Sequence, residues 1–143
     1  MDGVKIVEAM SGYVEFIEAD APVCEAAEMM GELDVGGLPV GAPDRLEGVV
    51  TDRDLLYRVV ARGSDASAVR VRDVMSRPVI ACHADDTVRA VLDTMASHHI
   101  RRMPVLDAAG KVTGWVTLAD LSRKLLVEDP ALQAALQHLT EAE

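Results

Sequence analysis

The chain states one pattern twice. Gly48-Val49-Val50-Thr51-Asp52-Arg53-Asp54 returns as Gly114-Trp115-Val116-Thr117-Leu118-Ala119-Asp120, and Leu38-Pro39-Val40 returns as Met103-Pro104-Val105. Met10, Asp20, Val23, Met30 and Pro39 recur at Met75, Asp85, Val88, Met95 and Pro104, each 65 residues on, whereas Gly48, Thr51 and Asp54 recur 66 residues on. One residue is therefore inserted between Val105 and Gly114, where Asp107-Ala108-Ala109-Gly110 reads as a turn. Turns tolerate insertion, so the register is consistent. An internal repeat fixes the unit of architecture before any chemistry is argued. Two copies, rather than a long array, point to a closed pair and not a solenoid.

The repeat divides the 143 residues into a first copy at 1–63, a second at 64–127 and a tail at 128–143. A unit of about 60 residues buries too little surface to be stable alone, so the copies are expected to share a core. No apolar run is long enough to span a bilayer and no signal-peptide pattern is visible, which reads as a soluble cytoplasmic protein with no membrane partner. The net charge of −10 argues against nucleic acid. That charge is uneven: 5 basic and 13 acidic residues in 1–63, 9 basic and 7 acidic in 64–127, 4 acidic in 128–143. The second copy is thus the better side for an anionic ligand. Cys24 and Cys82 are not repeat equivalents and read as structural thiols, not a disulfide framework.

Local patterning gives each copy the order β-α-β-β-α, an α/β (α+β) fold class. Val14–Ile17 alternates as a short strand. Asp20 with Pro22 reads as a capped helix start, and Val23, Ala26, Ala27 and Met30 recur at helical spacing. Leu38–Val40 and Leu46–Val50 form two strands around a Gly41–Asp44 turn, and Thr51 caps a second helix through about Ala61. In the second copy Val79–Cys82 is the strand. Asp85 caps the helix carrying Val88, Val91, Leu92 and Met95, Met103–Leu106 pairs with Val112–Val116, and Thr117 opens the last helix. Arg62–Ser67 is the linker. Asp129-Pro130 starts a tail helix with Leu132, Leu136 and Leu139 on one face, suited to packing on its own body or to a partner contact.

No nucleophile–base pair, metal cage or glycine-rich phosphate loop stands out, so the chain does not read as an enzyme and no catalytic cofactor is expected. The adjacent His98 and His99 point in different directions on a helix and have no ligand partner at metal spacing. Trp115 stands where the first copy has Val49 and reads as a core filler. The Thr-x-x-Asp pairs carry two compatible roles. One is a capping box, in which Thr caps the helix and the acid three residues on reaches back. The other is ligand binding, since free amides at a helix start suit phosphate and an ionised carboxylate accepts from sugar hydroxyls.

Taken together, Met, then Asp-x-x-Val with a later Met, then Pro-Val, then Gly-x-x-Thr-x-x-Asp, in tandem over about residues 4–127, resembles the cystathionine β-synthase (CBS) domain pair, or Bateman module. The resemblance implies two repeats packed with pseudo-twofold symmetry through their sheets. It also implies adenosine nucleotides in the clefts between them and a disc-shaped homodimer. In one cleft it assigns Asp120 and Thr117 to ribose and phosphate, Arg101 and Arg102 to phosphates, and Met10, Val14, Val35, Gly36 and Gly37 to the adenine. In the weaker cleft it assigns Asp54, Thr51 and Arg53, with Met75, Val79, Ile80 and Ile100 around the base. The copies differ because Gly36-Gly37 stands where the second has Arg101-Arg102. A phosphate beside two guanidiniums gains charge-assisted, bidentate bonds, so the Asp120 cleft is expected to bind better.

Two functions follow. The first is a regulatory, energy-sensing module that binds AMP, ADP, ATP, NAD or S-adenosylmethionine and signals to a protein partner in trans by population shift. The alternative is a dimerisation scaffold with vestigial nucleotide sites.

Overall fold

The computed structural model describes residues 3–126 and 130–140. Two compact units emerge, Met1–Val14 with Ala81–Glu143, and Glu15–Ile80. They are offset from the sequence repeat. The lead segment of each copy, with its Met, packs into the unit holding the other copy's Gly-x-x-Thr-x-x-Asp motif.

In the unit 15–80, helix α1 (Val23–Leu33) turns Val23, Ala26 and Met30 inward. Ala27 is exposed, contrary to the sequence expectation, because the buried stripe is narrower than its apolar pattern. Strands β1 (Gly37–Ala42) and β2 (Arg45–Thr51) pair antiparallel around the Pro43-Asp44 turn. Helix α2 (Asp52–Leu55) continues as a π-helical turn, Leu56–Val60, and a short α3 (Val71–Val74) follows. The expected Val14–Ile17 strand shrinks to one residue. The Ile17 amide donates to the Pro39 carbonyl (3.1 Å) and the Ile17 carbonyl accepts from the Gly41 amide (2.9 Å). Ile17, Val23, Ala26, Leu38, Val40, Val50, Val71 and Met75 belong to one buried cluster. Each fully buried large side chain contributes about 1.5–3 kcal/mol.

The unit of 1–14 and 81–143 repeats this plan. A 3-10 turn, Ile6–Glu8, stands where α3 does in the other unit. The expected Val79–Cys82 strand is only β3 (Cys82–His83), parallel to β4 (Arg102–Leu106), which pairs antiparallel with β5 (Val112–Thr117). The Cys82–Val105 pair is the counterpart of Ile17–Val40. The inserted residue lies in the β4–β5 turn, where the Asp107 carboxylate accepts from the amides of Ala109 and Lys111, both at 2.9 Å. Helix α4 (Val88–His98) buries Val88, Val91 and Met95. Helix α5 (Leu118–Leu125) buries Leu121.

The two acidic caps assigned from sequence are corrected. Residue Pro22 occupies the α1 cap without a side-chain bond, and Thr87 caps α4 through the Ala90 amide at 3.1 Å. A cap must directly precede the first helical residue, and Asp20 and Asp85 stand two residues too early. The Asp20 carboxylate instead pairs with the Arg72 guanidinium. Both helices end left-handed at equivalent residues, Asp34 and His99, each with φ 55°. This places His99 as a helix terminator. His98 Nδ1 lies 3.1 Å from the Thr94 carbonyl.

The tail forms α6 (Pro130–Thr140) beside α5. Residue Leu139 is exposed, while the side chains of Leu132 and Leu136, and Asp129 entirely, lie outside the described residues. Among the described residues no helix is long and apolar enough to cross a membrane.

Candidate functional site

The site is built at the point where the second hairpin strand of each copy runs into a helix. Both threonines are extended there, with φ −121° at Thr51 and −118° at Thr117, so each hydroxyl turns back over the first helical turn. The Thr51 hydroxyl accepts from the Asp54 amide (3.1 Å), and Asp54 Oδ2 accepts from the Thr51 amide (2.9 Å). At Thr117 and Asp120 the same two distances are 3.1 and 3.0 Å. Both motifs are therefore complete capping boxes, which satisfy two helix-start donors reciprocally.

The residues that distinguish the copies stand beside these caps. Arg102 is the ladder partner of Thr117, and the Arg101 carbonyl accepts from the Leu118 amide at 2.8 Å. Gly37 is the ladder partner of Thr51, and the Gly36 carbonyl accepts from the Asp52 amide at 2.9 Å. The arginine pair and the glycine pair thus occupy one backbone position in two copies. Arg101 is exposed and Arg102 half-buried, whereas both glycines are buried.

The motif glycine has a packing reason. A Cβ at Gly114 would fall 2.6 Å from Met10 Sδ and 2.9 Å from the Ser11 carbonyl oxygen. At Gly48 it would fall 2.7 Å from Met75 Sδ and 3.1 Å from the Ser76 carbonyl oxygen. The lead segment is bonded there: the Ser11 amide and carbonyl pair with those of Trp115, both at 2.9 Å, and Ser76 pairs likewise with Val49 at 2.8 and 3.1 Å. The Met of each lead segment and the Gly of each motif are therefore one structural pair.

The two carboxylates have different surroundings. The Asp54 side chain is 8% exposed. It accepts from the Ser76 hydroxyl at 3.0 Å (Oδ1) and 3.3 Å (Oδ2), with Arg58 Nε at 3.9 Å. Arg58 also donates to the carbonyls of Val74 (3.0 Å) and Met75 (3.4 Å). The Asp120 side chain is 22% exposed and accepts from Arg123 Nη2 at 2.8 Å. The hydroxyl of Ser11, the counterpart of Ser76, accepts from the Tyr13 amide and donates to its carbonyl, both at 3.3 Å.

The unit 1–14 with 81–143 holds Thr117, Asp120, Arg101, Arg102, Met10, Val14 and Ile100. The unit 15–80 holds Thr51, Arg53, Asp54, Met75, Val79 and Ile80, with Val35, Gly36 and Gly37. Arg53 is exposed and lies over the Tyr57 ring, 5.4 Å from its centroid. Sequence reasoning missed Ser11, Ser76, Arg58 and Arg123. The serines were visible at the 65-residue offset, and the arginines stand four residues after Asp54 and three after Asp120. Among the described residues no group of three or more His, Cys, Asp or Glu side chains could hold a metal ion.

Comparison with known proteins gives the family. The uncharacterized protein YlbB of Bacillus subtilis is 39% identical over 120 residues, 82% of this chain and 80% of that protein. An uncharacterized protein of Methanopyrus kandleri is 36% identical over 114 residues, 79% of this chain but 56% of that relative's length. Hypoxic response protein I, solved with two coordinated zinc ions, is 30% identical with a TM-score of 0.74, over 84% of this chain and 98% of that one. A CBS domain pair solved with 5′-methylthioadenosine and S-adenosyl-L-methionine is 25% identical with a TM-score of 0.77, over 85% of this chain and 99% of that one. The CBS domain pattern itself matches at residues 6–61 and again at 71–127, once for each copy, so the chain belongs to the CBS domain family.

Proposed function

We propose that this protein is a regulatory module that binds an adenosine compound at Thr117 and Asp120 and passes its occupancy to a partner protein. The observation that carries the reading is the placement of Arg101 and Arg102 beside the Thr117 cap. Two guanidiniums next to a helix start suit a phosphate, and a partly exposed carboxylate one turn on suits ribose hydroxyls. The solved CBS pair with 5′-methylthioadenosine and S-adenosyl-L-methionine adds support for an adenosine-type ligand. In this reading Met10 and Val14, from the same unit, lie against the base. Signalling follows from differential affinity, because a ligand shifts an equilibrium only by what separates its affinities for the two states. A homodimer would make that shift cooperative.

A scaffold reading has one observation in its favour. Capping alone accounts for both Thr-x-x-Asp pairs. Calorimetric titration of nucleotide-stripped protein with AMP, ADP, ATP, NAD and S-adenosylmethionine separates the two. Saturable binding of one compound, weakened about 10- to 100-fold in Asp120→Ala by loss of hydrogen bonds to a charged group, is the expected result. Silence across the panel from a folded protein would favour the scaffold.

A further inference from the structure

We propose that Ser76 plugs the Asp54 half of the protein, so that the chain takes a nucleoside at Asp120 and not at Asp54. The inference rests on the reading above, in which the motif carboxylates receive ribose hydroxyls. A ribose presents two O–H donors to the two oxygens of one carboxylate. At Asp54 those oxygens already share the Ser76 O–H, 3.0 Å from one and 3.3 Å from the other, while Oδ2 also accepts from the Thr51 amide. The serine stands in for the sugar.

The plug is held firmly. The Ser76 amide and carbonyl are both bonded to Val49. Arg58 donates to the carbonyls of Val74 and Met75 immediately before it, and approaches Asp54 from its own helix. Ser76 itself is exposed while Asp54 is buried, so the bond joins a surface hydroxyl to a buried carboxylate.

The other copy has the same serine on the same backbone without the plug. The Ser11 hydroxyl is engaged two residues on, accepting from the Tyr13 amide. Serine hydroxyls commonly make such local bonds with a following amide. The counterpart of Tyr13, 65 residues on, is Pro78. Proline has no N–H to donate, so the Ser76 hydroxyl has no amide two residues on to accept from, and it donates to Asp54 instead. The Tyr13-to-Pro78 difference thus separates two motifs whose Thr and Asp are alike. At Asp120 the competing partner among the described residues is Arg123, a flexible side chain three residues on rather than a hydroxyl fixed on a bonded backbone.

The test is binding stoichiometry by calorimetry against AMP, ADP, ATP, NAD and S-adenosylmethionine, for wild type, Ser76→Ala and Ser76→Thr, with circular dichroism confirming the fold of each. Ser76→Gly serves if Ser76→Ala fails to fold. Ser76→Ala should bind one equivalent more than wild type, Ser76→Thr should keep the wild-type number, and Asp54→Ala added to Ser76→Ala should remove the extra equivalent. A wild type that already binds at Asp54, or a Ser76→Ala that gains nothing, overturns the plug. The outcomes also separate the two readings. Wild-type binding lost in Asp120→Ala with no gain in Ser76→Ala overturns the plug alone. A gain in Ser76→Ala from a silent wild type supports the plug and overturns Asp120 as the ligand site. Silence in every variant overturns both.

Discussion

Removing the two motif carboxylates one at a time should cost unequal stability, although the sequence around them is nearly the same. Asp120→Ala removes one capping-box bond to the charged carboxylate, worth about 1.5–3 kcal/mol, and an ion pair to a partly exposed arginine worth about 0–1 kcal/mol. Asp54→Ala removes the equivalent capping bond and a Ser76 hydroxyl bond to a buried carboxylate, the latter worth about 1.5–3 kcal/mol because one partner is charged. Arg58 at 3.9 Å and half exposed adds little. Asp54→Ala should therefore cost about 1–2 kcal/mol more than Asp120→Ala on these bond values. In a chain of this size that is a further melting-point loss of about 2–8 °C. Thermal and urea unfolding followed by circular dichroism read the difference directly. A double-mutant cycle with Ser76→Ala isolates the bond, and the coupling between Asp54 and Ser76 should reach about 1–2 kcal/mol. Equal costs for the two carboxylates, or additive effects in the cycle, would refute the contrast.

Gly114→Ala and Gly48→Ala should each destabilise by about 1–3 kcal/mol through overpacking. Gly114→Ala should be the worse, because the nearest backbone oxygen, that of Ser11, would be 2.9 Å from the new Cβ, against 3.1 Å for Ser76 at Gly48; melting temperatures of the two variants check the order. The buried Cys82 thiol, whose Sγ lies 3.7 Å from the Pro104 carbonyl, is pushed up from 9.0 to about 12, first by burial and then by the charge of Asp86. The folded state then keeps a proton that the unfolded chain loses. Its contribution is fully present below 9.0 and is lost as the pH rises toward 12, at up to about 1.4 kcal/mol per pH unit. Urea midpoints on either side of the ordinary thiol value should fall with rising pH in wild type and fall less in Cys82→Ala.

What the sequence disclosed of the fold is what repeats impose. The offsets of 65 and 66 located the hairpins, the helices and the inserted turn residue, because those features depend on periodicity and on short local signals. The errors arose where two local signals competed. Asp20 looked like a cap from its residue type, yet Pro22 holds the cap position and Arg72 holds the carboxylate, a partner 52 residues away that no window reveals. The lead segments were assigned to the opposite motif only through the family resemblance, since the contact of Met10 with Gly114 and of Met75 with Gly48 is long-range. The glycines were legible as a motif; that they make room for a methionine was not.

The candidate site shows the same boundary at atomic scale. Thr51 and Asp54 match Thr117 and Asp120 in type, spacing and capping distances, so any reading of the motif alone makes the two halves equal. The charge beside the caps already breaks that equality, with two arginines in one copy and two glycines in the other. The hydroxyl of the lead-segment serine breaks it again, and in the same direction. Its choice is a competition between a local amide and a distant carboxylate, and the presence of that amide depends on whether the residue two positions on is Tyr13 or Pro78. Neither difference falls within the Thr-x-x-Asp motif. In the proposed reading the arginines attract an anion and the proline withholds a single donor, and Asp120, 22% exposed against 8% for Asp54, is the more accessible carboxylate. Two independent differences between the copies thus favour the same half in the proposed reading.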